Sequence, residues 1–474
     1  MRSIQATCRH TAAPPGEPPD AREPRTGSGP RARTGPGAAR EAAAEGAGRT
    51  SARDLRGGEP HDQDGCPDPV AVDADVPAAV REVLAPLLAA RLEHARGLDT
   101  LFARDLAERV ADFALHGGRR VRPRLLWWSL RACGGGEPAQ IRAALRVCAG
   151  LELLQTCALV HDDVMDAAPT RRGRPALHTA LAHQYADDAP GAARRLGEAA
   201  AVLAGDLALA WADDLMTDLL LDATGLPPDA VRRVRDGWRA TRTEMVAGQY
   251  LDVHGQATAQ RTTTRAVRAA CLKSALYTVE RPLELGAALA GADRTATGAL
   301  CRAGRCAGLA FQLRDDLDDL FADPAVTGKP SGGDVREGKP TYLMAVALAR
   351  AAADGDPAAL AVLDAVPGRT GLTEAGLDRI RDAVTATGAH DLVREKIERL
   401  AHRALRHLAE VDLERGPAAR LHALFAEITG TAGRCPEPVG GLPSAAAGPE
   451  PHGGPGPAPL GGAHSVTSAS EDGR

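Results

Sequence analysis

The sequence predicts an all-α protein: a single-domain bundle of antiparallel helices around a central cavity, with disordered N- and C-terminal tails. From about Val76 to Ile428, apolar residues recur at spacings of three and four in long Ala, Leu, Val and Arg segments, the period of a helix buried along one face. Alternating Val/Ile/Thr runs of strand type are missing, and no repeat of solenoid period is evident. The two ends are built differently. Residues 1–74 are rich in Arg, Pro, Gly, Ala and Asp with almost no Leu, Ile or Phe, and residues 433–474 read alike. Neither stretch can bury enough apolar surface to offset its ordering entropy, so the folded domain is expected over residues 75–432.

Taken in order, helices are expected over residues 77–95, 98–116, 143–167, 198–220, 229–251, 261–290 and 300–321, with several more after Thr341. The stretch 143–167 carries Leu145, Cys148, Leu151, Leu154, Ala158 and Val160 without a proline and ends in Asp162-Asp163-Val164-Met165-Asp166. The stretch 300–321 carries Leu309, Phe311 and Leu313 and ends in Asp315-Asp316-Leu317-Asp318-Asp319. In a helical bundle, central sites are built from such facing helices.

Composition excludes several function classes. Net charge is -5 and no basic stripe with interleaved aromatics exists, so nucleic acid is not expected as a partner. The nine cysteines form no Cys-x-x-Cys pair and read as reduced thiols of a cytoplasmic protein. The N-terminus has no apolar signal-type region and no stretch reads as long enough for a membrane span, so neither secretion nor an integral membrane segment is expected.

The chemistry is concentrated in the aspartates. Asp162 lies one turn from Asp166, and Asp315 one turn from Asp319, with Asp163 and Asp316 beside them. Like charges this close raise their own pKa values unless cations bridge them, and magnesium uses few carboxylates beside waters and substrate phosphates. Cationic loops follow or precede each cluster. They are Gly117-Gly118-Arg119-Arg120-Val121-Arg122-Pro123, Arg171-Arg172-Gly173-Arg174, and Gly328-Lys329-Pro330 continuing to Lys339. Arginine's planar fork matches phosphate oxygens in pairs.

With these motifs in place, the chain resembles the all-trans isoprenyl diphosphate synthases of the polyprenyl synthetase family. Both aspartate motifs have the DDxxD form, and the resemblance covers roughly residues 117–342. It implies the isoprenoid-synthase type of helical bundle, a homodimer, and a magnesium-dependent prenyl transfer with three ions per site. By the same resemblance Asp162, Asp163, Asp166, Asp315, Asp316 and Asp319 hold magnesium. Arg171, Lys273 and Lys329 would grip the allylic diphosphate, with Lys339 nearby. Arg119, Arg122, Gln155 and Arg172 would bind isopentenyl diphosphate, and Gln312 would face the reacting carbons, with Ser274 following Lys273. Arg119, Gln155 and Ser274 depart from the family's usual Lys, His and Thr but keep charge or hydrogen-bonding capacity.

In such enzymes, product length is set on the helix face behind the first motif, here Leu154, Cys157 and Ala158. Cys157 is small where short-chain enzymes often carry an aromatic plug, so geranylgeranyl diphosphate is the expected product, with a longer polyprenyl or a farnesyl product as alternatives. A class I terpene cyclase would carry an Asn/Ser/Glu second motif, and a non-catalytic partner subunit would be expected to have lost one cluster. Asp213, Asp214 and Asp218 read as a solvated helix face, Gly205-Asp206 as helix packing, His161 as structural, and Trp127-Trp128 as core or interface. The string His61-Asp62-Gln63-Asp64 falls in the tail and is given no role.

Overall fold

A computed structural model describes residues 66–259, 261–323, 331–365 and 372–431 of the chain. The helices follow in order: α1 (Pro69–Ala74), α2 (Val76–Leu98), α3 (Glu108–Leu115), α4 (Val121–Ala132), α5 (Pro138–Met165), α6 (Leu177–Gln184), α7 (Ala193–Leu221), α8 (Pro228–Thr258), α9 (Thr263–Ala270), α10 (Arg281–Leu289), α11 (Arg294–Phe321), α12 (Gly333–Arg336), α13 (Tyr342–Asp354), α14 (Pro357–Asp364), α15 (Glu374–Ala386), α16 (Ala389–Leu408) and α17 (Arg415–Thr429). Two π-helical segments, Ala103–Ala107 and Cys271–Glu280, run into α3 and α10.

Helix α5 forms the spine. Pro138 opens it and Gln140 caps it through the Gly136 and Glu137 amides, a start signal combining a preset φ with satisfied N–H groups. It packs lengthwise on α7, while α11, capped by Asp293, packs on the Cys271–Glu280 segment and α16. The buried apolar residues form two clusters, one around α5 and α7 with Leu84, Leu125, Leu126, Trp127, Leu151 and Leu154 fully buried, and a second among the Cys271–Glu280 segment, α11, α13, α15 and α16.

Glycine permits two close approaches between elements. A Cβ on Gly205 would lie 2.1 Å from His161 Nε2, and one on Gly248 would lie 2.5 Å from Lys273 N. His161 is thus locked between α5 and α7, where its Nε2 meets Val202 O at 3.0 Å.

Several expectations need correction. Helix α1 begins inside the stretch assigned to the tail, and its Val72 is buried. The Gly117–Pro123 loop enters a helix, α4, and Pro123 in its first turn is compatible with that start. The expected 98–116 helix runs without a break over residues 100–115, opened by Asp99, whose carboxylate accepts from Phe102 N, and it carries the π-helical Ala103–Ala107 inside it. A two-residue hairpin pairs Thr170–Arg171 with Arg174–Pro175. One helix does reach membrane-spanning length and apolarity, contrary to expectation. It is α5, with mean hydropathy 1.5 over its best window, and 78% of that window is buried inside the fold, which accounts for its composition as a core helix. Among the described residues, Cys66, Cys133, Cys148, Cys157, Cys271, Cys301 and Cys306 take part in no disulfide.

Candidate active site

Helix α5 delivers the first carboxylate cluster at its C-terminal end. Asp162 Oδ1 accepts from Lys273 Nζ at 3.1 Å and from Gln249 Nε2 at 2.8 Å, and its Oδ2 lies 3.4 Å from Arg171 Nη2. Burial pushes this carboxyl up, but Lys273, Lys339 and Arg171 together hold it below its ordinary value. Asp163, 1% exposed, accepts from Arg171 Nε at 2.7 Å while its Oδ2 is buried with no partner. Its pKa is raised by burial despite Arg171, with the Asp162 charge adding. Asp166 Oδ2 accepts from Lys339 Nζ at 2.8 Å.

Helix α11 delivers the second cluster. Asp315 is exposed, whereas Asp316 is buried, with Gln312 Nε2 at 2.9 Å and Tyr342 N at 3.3 Å on its two oxygens. Asp319 Oδ2 accepts from Asp334 N at 3.1 Å. Burial and the charge of Asp334 raise Asp316 well above the carboxylate range and Asp319 to about 7. Asp334 is raised too, by burial and by Asp315, although Lys339 opposes the rise.

One lysine joins the two ends. Lys339 Nζ lies 2.8 Å from Asp166, 3.4 Å from Asp334 and 2.6 Å from Glu337, and Asp334 N donates to Asp319 Oδ2 at 3.1 Å, so the α5 cluster is linked to the α11 cluster through Lys339 and Asp334. Burial opposes its charge, but Asp334, Asp166 and Glu337 hold its pKa far above the usual lysine value. Lys273 likewise spans Asp162 and Asp252, the latter at 2.6 Å. Lys329 lies outside the described residues.

Beside these carboxylates sits a cationic cluster. Arg122 Nη2 donates to Thr278 Oγ1 at 2.7 Å, its guanidinium lies 4.3 Å from the Tyr277 ring centroid, and its buried Nε has no partner. Tyr277 donates to Gln155 Oε1 at 2.9 Å. Arg172 donates to His116 O at 3.1 Å and stacks on Phe113, next to Gly118, while Arg119 is exposed on the same loop. Burial lowers the Arg172 pKa, and the Arg171 and Arg120 charges add to this against the pull of Glu152. That crowding of guanidiniums is what an anion would relieve. Arg120 itself is structural: it is buried, pairs with Glu152 at 3.1 Å, and satisfies the carbonyls of Ala114 and Leu115.

Sequence reasoning missed Gln249, Asp252, Gln256, Asp334 and Tyr277. Gln249, Asp252 and Gln256 are spaced three and four apart on α8, a legible face. Tyr277 was not legible, because it reaches Gln155 from a π-helical register. Ser274 Oγ donates to Gln312 Oε1, which brings the Cys271–Glu280 segment against α11. Leu154 and Cys157 are buried and Ala158 half-buried behind the cluster, with Cys157 Sγ 3.8 Å from His161 Nδ1. The acidic run on α7 is not simply solvated: Asp213 takes the Trp238 indole N–H at 2.8 Å and pairs with Arg242, and Asp214 lies 3.3 Å from Arg91. Trp127 is core, with its N–H on Asp73 at 2.7 Å. The 61–64 string lies outside the described residues.

The donor set suits a hard cation. Asp163 Oδ2 is buried without a partner, and Asp316, Asp319 and Asp334 crowd at raised pKa values. Among the described residues no three His, Cys, Asp or Glu side chains form a ready-made cage. Magnesium asks for none, since it takes one or two carboxylates and completes its shell with water and substrate phosphates.

A family model described as Polyprenyl synthetase matches residues 104–367, more than half of the chain. The chain belongs to the polyprenyl synthetase family. Among its relatives, a short chain isoprenyl diphosphate synthase of Methanothermobacter thermautotrophicus is 31% identical over 245 residues, 50% of this chain and 64% of its own length. The match thus spans just under two thirds of that relative. A (2E,6E)-farnesyl diphosphate synthase of Mycobacterium bovis is 30% identical over 311 residues, 65% of this chain and 78% of the other. Among solved polyprenyl synthetase structures, a geranylgeranyl pyrophosphate synthase of Corynebacterium glutamicum complexed with isoprenyl diphosphate and magnesium is 37% identical. Its TM-score is 0.70, and the match covers 74% of this chain and 98% of that one.

Proposed function

We propose that this chain is a prenyltransferase that joins isopentenyl diphosphate to an allylic diphosphate, giving an all-trans prenyl diphosphate longer by one isoprene unit. The observation that carries the reading is the linking of the α5 and α11 carboxylates through Lys339 and Asp334, beside a separate arginine cluster. Two anionic substrates need two such places. The allylic diphosphate belongs with Asp162, Asp163, Asp166, Asp315, Asp316 and Asp319, gripped by Arg171, Lys273 and Lys339. Isopentenyl diphosphate belongs with Arg119, Arg122 and Arg172, its chain oriented beside Gln155 and Tyr277. Magnesium, when bound, supplies positive charge against the diphosphate as it leaves.

The allylic carbon–oxygen bond breaks with both electrons going to the diphosphate. Arg171 and Lys273 stabilise that developing charge where it appears. The isopentenyl double bond then supplies the electron pair of the new carbon–carbon bond, and the proton lost from the adjacent carbon passes to the released diphosphate. Leu154 and Cys157, buried behind the cluster, keep water from the cation.

Product length rests on Leu154, Cys157 and Ala158. A thiol at residue 157 leaves more depth than an aromatic would, which favours geranylgeranyl diphosphate. The farnesyl synthase among the relatives keeps a shorter product as the second reading. The same reading includes a homodimer in the cytoplasm, supported for the dimer by exposed Val202 and Leu203 on α7 and Val246 and Tyr250 on α8. Chromatography of products from isopentenyl and dimethylallyl diphosphates, with and without magnesium, tests the proposal. A farnesyl end product sinks the length assignment, and no magnesium-dependent condensation sinks the transferase.

A further inference from the structure

The family match ends at residue 367, yet α15, which follows it, grips the turn behind the second carboxylate cluster at three points. Arg381 donates from Nε to Leu320 O at 2.8 Å and from Nη2 to Ser331 Oγ at 2.6 Å, and its Nη1 pairs with Asp378 at 2.7 Å. Ser331 Oγ in turn reaches the carbonyls of Asp319 at 3.1 Å and Leu320 at 3.2 Å. One turn earlier on α15, Leu377 closes on Gly332, where φ is +74° and a Cβ would lie 2.5 Å from Leu377 Cδ1. At the start of α15, Glu374 takes Arg336 Nη2 at 2.6 Å, at the far end of α12.

These contacts have a chemical direction. The carbonyls of Asp319 and Leu320 belong to the last turn of α11, where intrahelical donors run out and the helix end is negative. A guanidinium satisfies both needs, and its fork can hold two acceptors in a fixed relation, which an ammonium cannot. The turn fixed in this way also presents Asp334 N to Asp319 Oδ2 at 3.1 Å. A shift of the turn therefore moves Asp319 and Asp334 relative to each other, while Asp162, Asp166 and Arg122 stand on other elements.

We propose that Arg381 is a positioning residue for the second carboxylate cluster: through Ser331 it clamps the end of α11 to the following turn and sets the Asp319–Asp334 geometry that receives the magnesium-bearing allylic diphosphate. The proposal rests on the prenyl-transfer reading. Arg381 touches no substrate, so its effect should be selective for one of the two substrate sites.

The test uses the full chain with Arg381→Ala and Ser331→Ala. Two readouts are taken: the magnesium concentration that half-saturates the thermal shift with inorganic diphosphate, and the KM values for both substrates. In Arg381→Ala the magnesium midpoint and the allylic KM are expected to rise about tenfold or more, the usual consequence of losing a residue that orients a metal-binding group. The isopentenyl KM should stay unchanged, and added guanidinium ion should restore the midpoint. If Arg381→Ala fails to fold, Ser331→Ala, which leaves the bond to Leu320 in place, should move both readouts in the same direction by less. Equal rises in both KM values, or an unchanged magnesium midpoint in a folded variant, overturn the proposal. A wild-type protein without magnesium-dependent condensation overturns the prenyl-transfer reading itself, and the role of Arg381 with it.

Discussion

Asp319 should make magnesium binding compete with a proton. Its carboxyl is raised from 3.8 to about 7 by burial and by the charge of Asp334. Because the folded value exceeds the unfolded one, the folded chain keeps a proton that the unfolded chain has released. The associated stability is fully present below pH 4 or so and is lost as pH rises through about 7. A cation that takes the ionised carboxylate compensates for that loss, so magnesium should stabilise the protein more above neutrality than below it. For one displaced proton, apparent affinity should fall about tenfold for each pH unit below 7. Asp316 and Asp334, also raised, would steepen the dependence. The assay is a magnesium titration with inorganic diphosphate, followed by thermal unfolding at a series of pH values for wild type and Asp319→Asn. The variant should have the shallower dependence. A wild-type midpoint that does not change with pH, or an equal slope in Asp319→Asn, would refute the reasoning.

Other outcomes follow from single contacts. Cys157→Phe should shorten the product without abolishing condensation, read by chromatography. Tyr277→Phe removes the 2.9 Å bond to Gln155 and should raise the isopentenyl KM with little change in the allylic KM, by about 0.5–1.5 kcal/mol of binding. Gly205→Ala puts a methyl 2.1 Å from the His161 ring, and denaturant unfolding should register a loss of about 1–3 kcal/mol.

How much the sequence reveals depends on how far apart in the chain the cooperating residues lie. Helices α5 and α11 were legible because each keeps a three-and-four apolar period without proline and ends in acid. Helix α4 was less plain because Arg122-Pro123 reads as a loop, although a proline in the first turn costs a helix little. Within the site, the aspartates and the Arg171-Arg172 pair stand close in sequence and declared themselves. The pairing of Lys339 with Asp166 spans 173 residues, and no local pattern encodes it. Arg381 lay still deeper, since an arginine on an amphipathic helix reads as solubility until its acceptors are seen. The three-and-four spacing of Gln249, Asp252 and Gln256 is legible as one face of α8, but with two of the three residues uncharged it does not by itself mark a site.

The Cys271–Glu280 segment makes the two substrate sites mechanically dependent. Its hydrogen bonds run from residue i to i+5 rather than i+4, and on that winding Lys273 meets Asp162 while Thr278, five residues on, meets Arg122. Rewinding it as an ordinary helix would rotate one contact away whenever the other was kept. A substitution that rewinds this segment should therefore weaken both sites together, unlike one that removes a single side-chain contact.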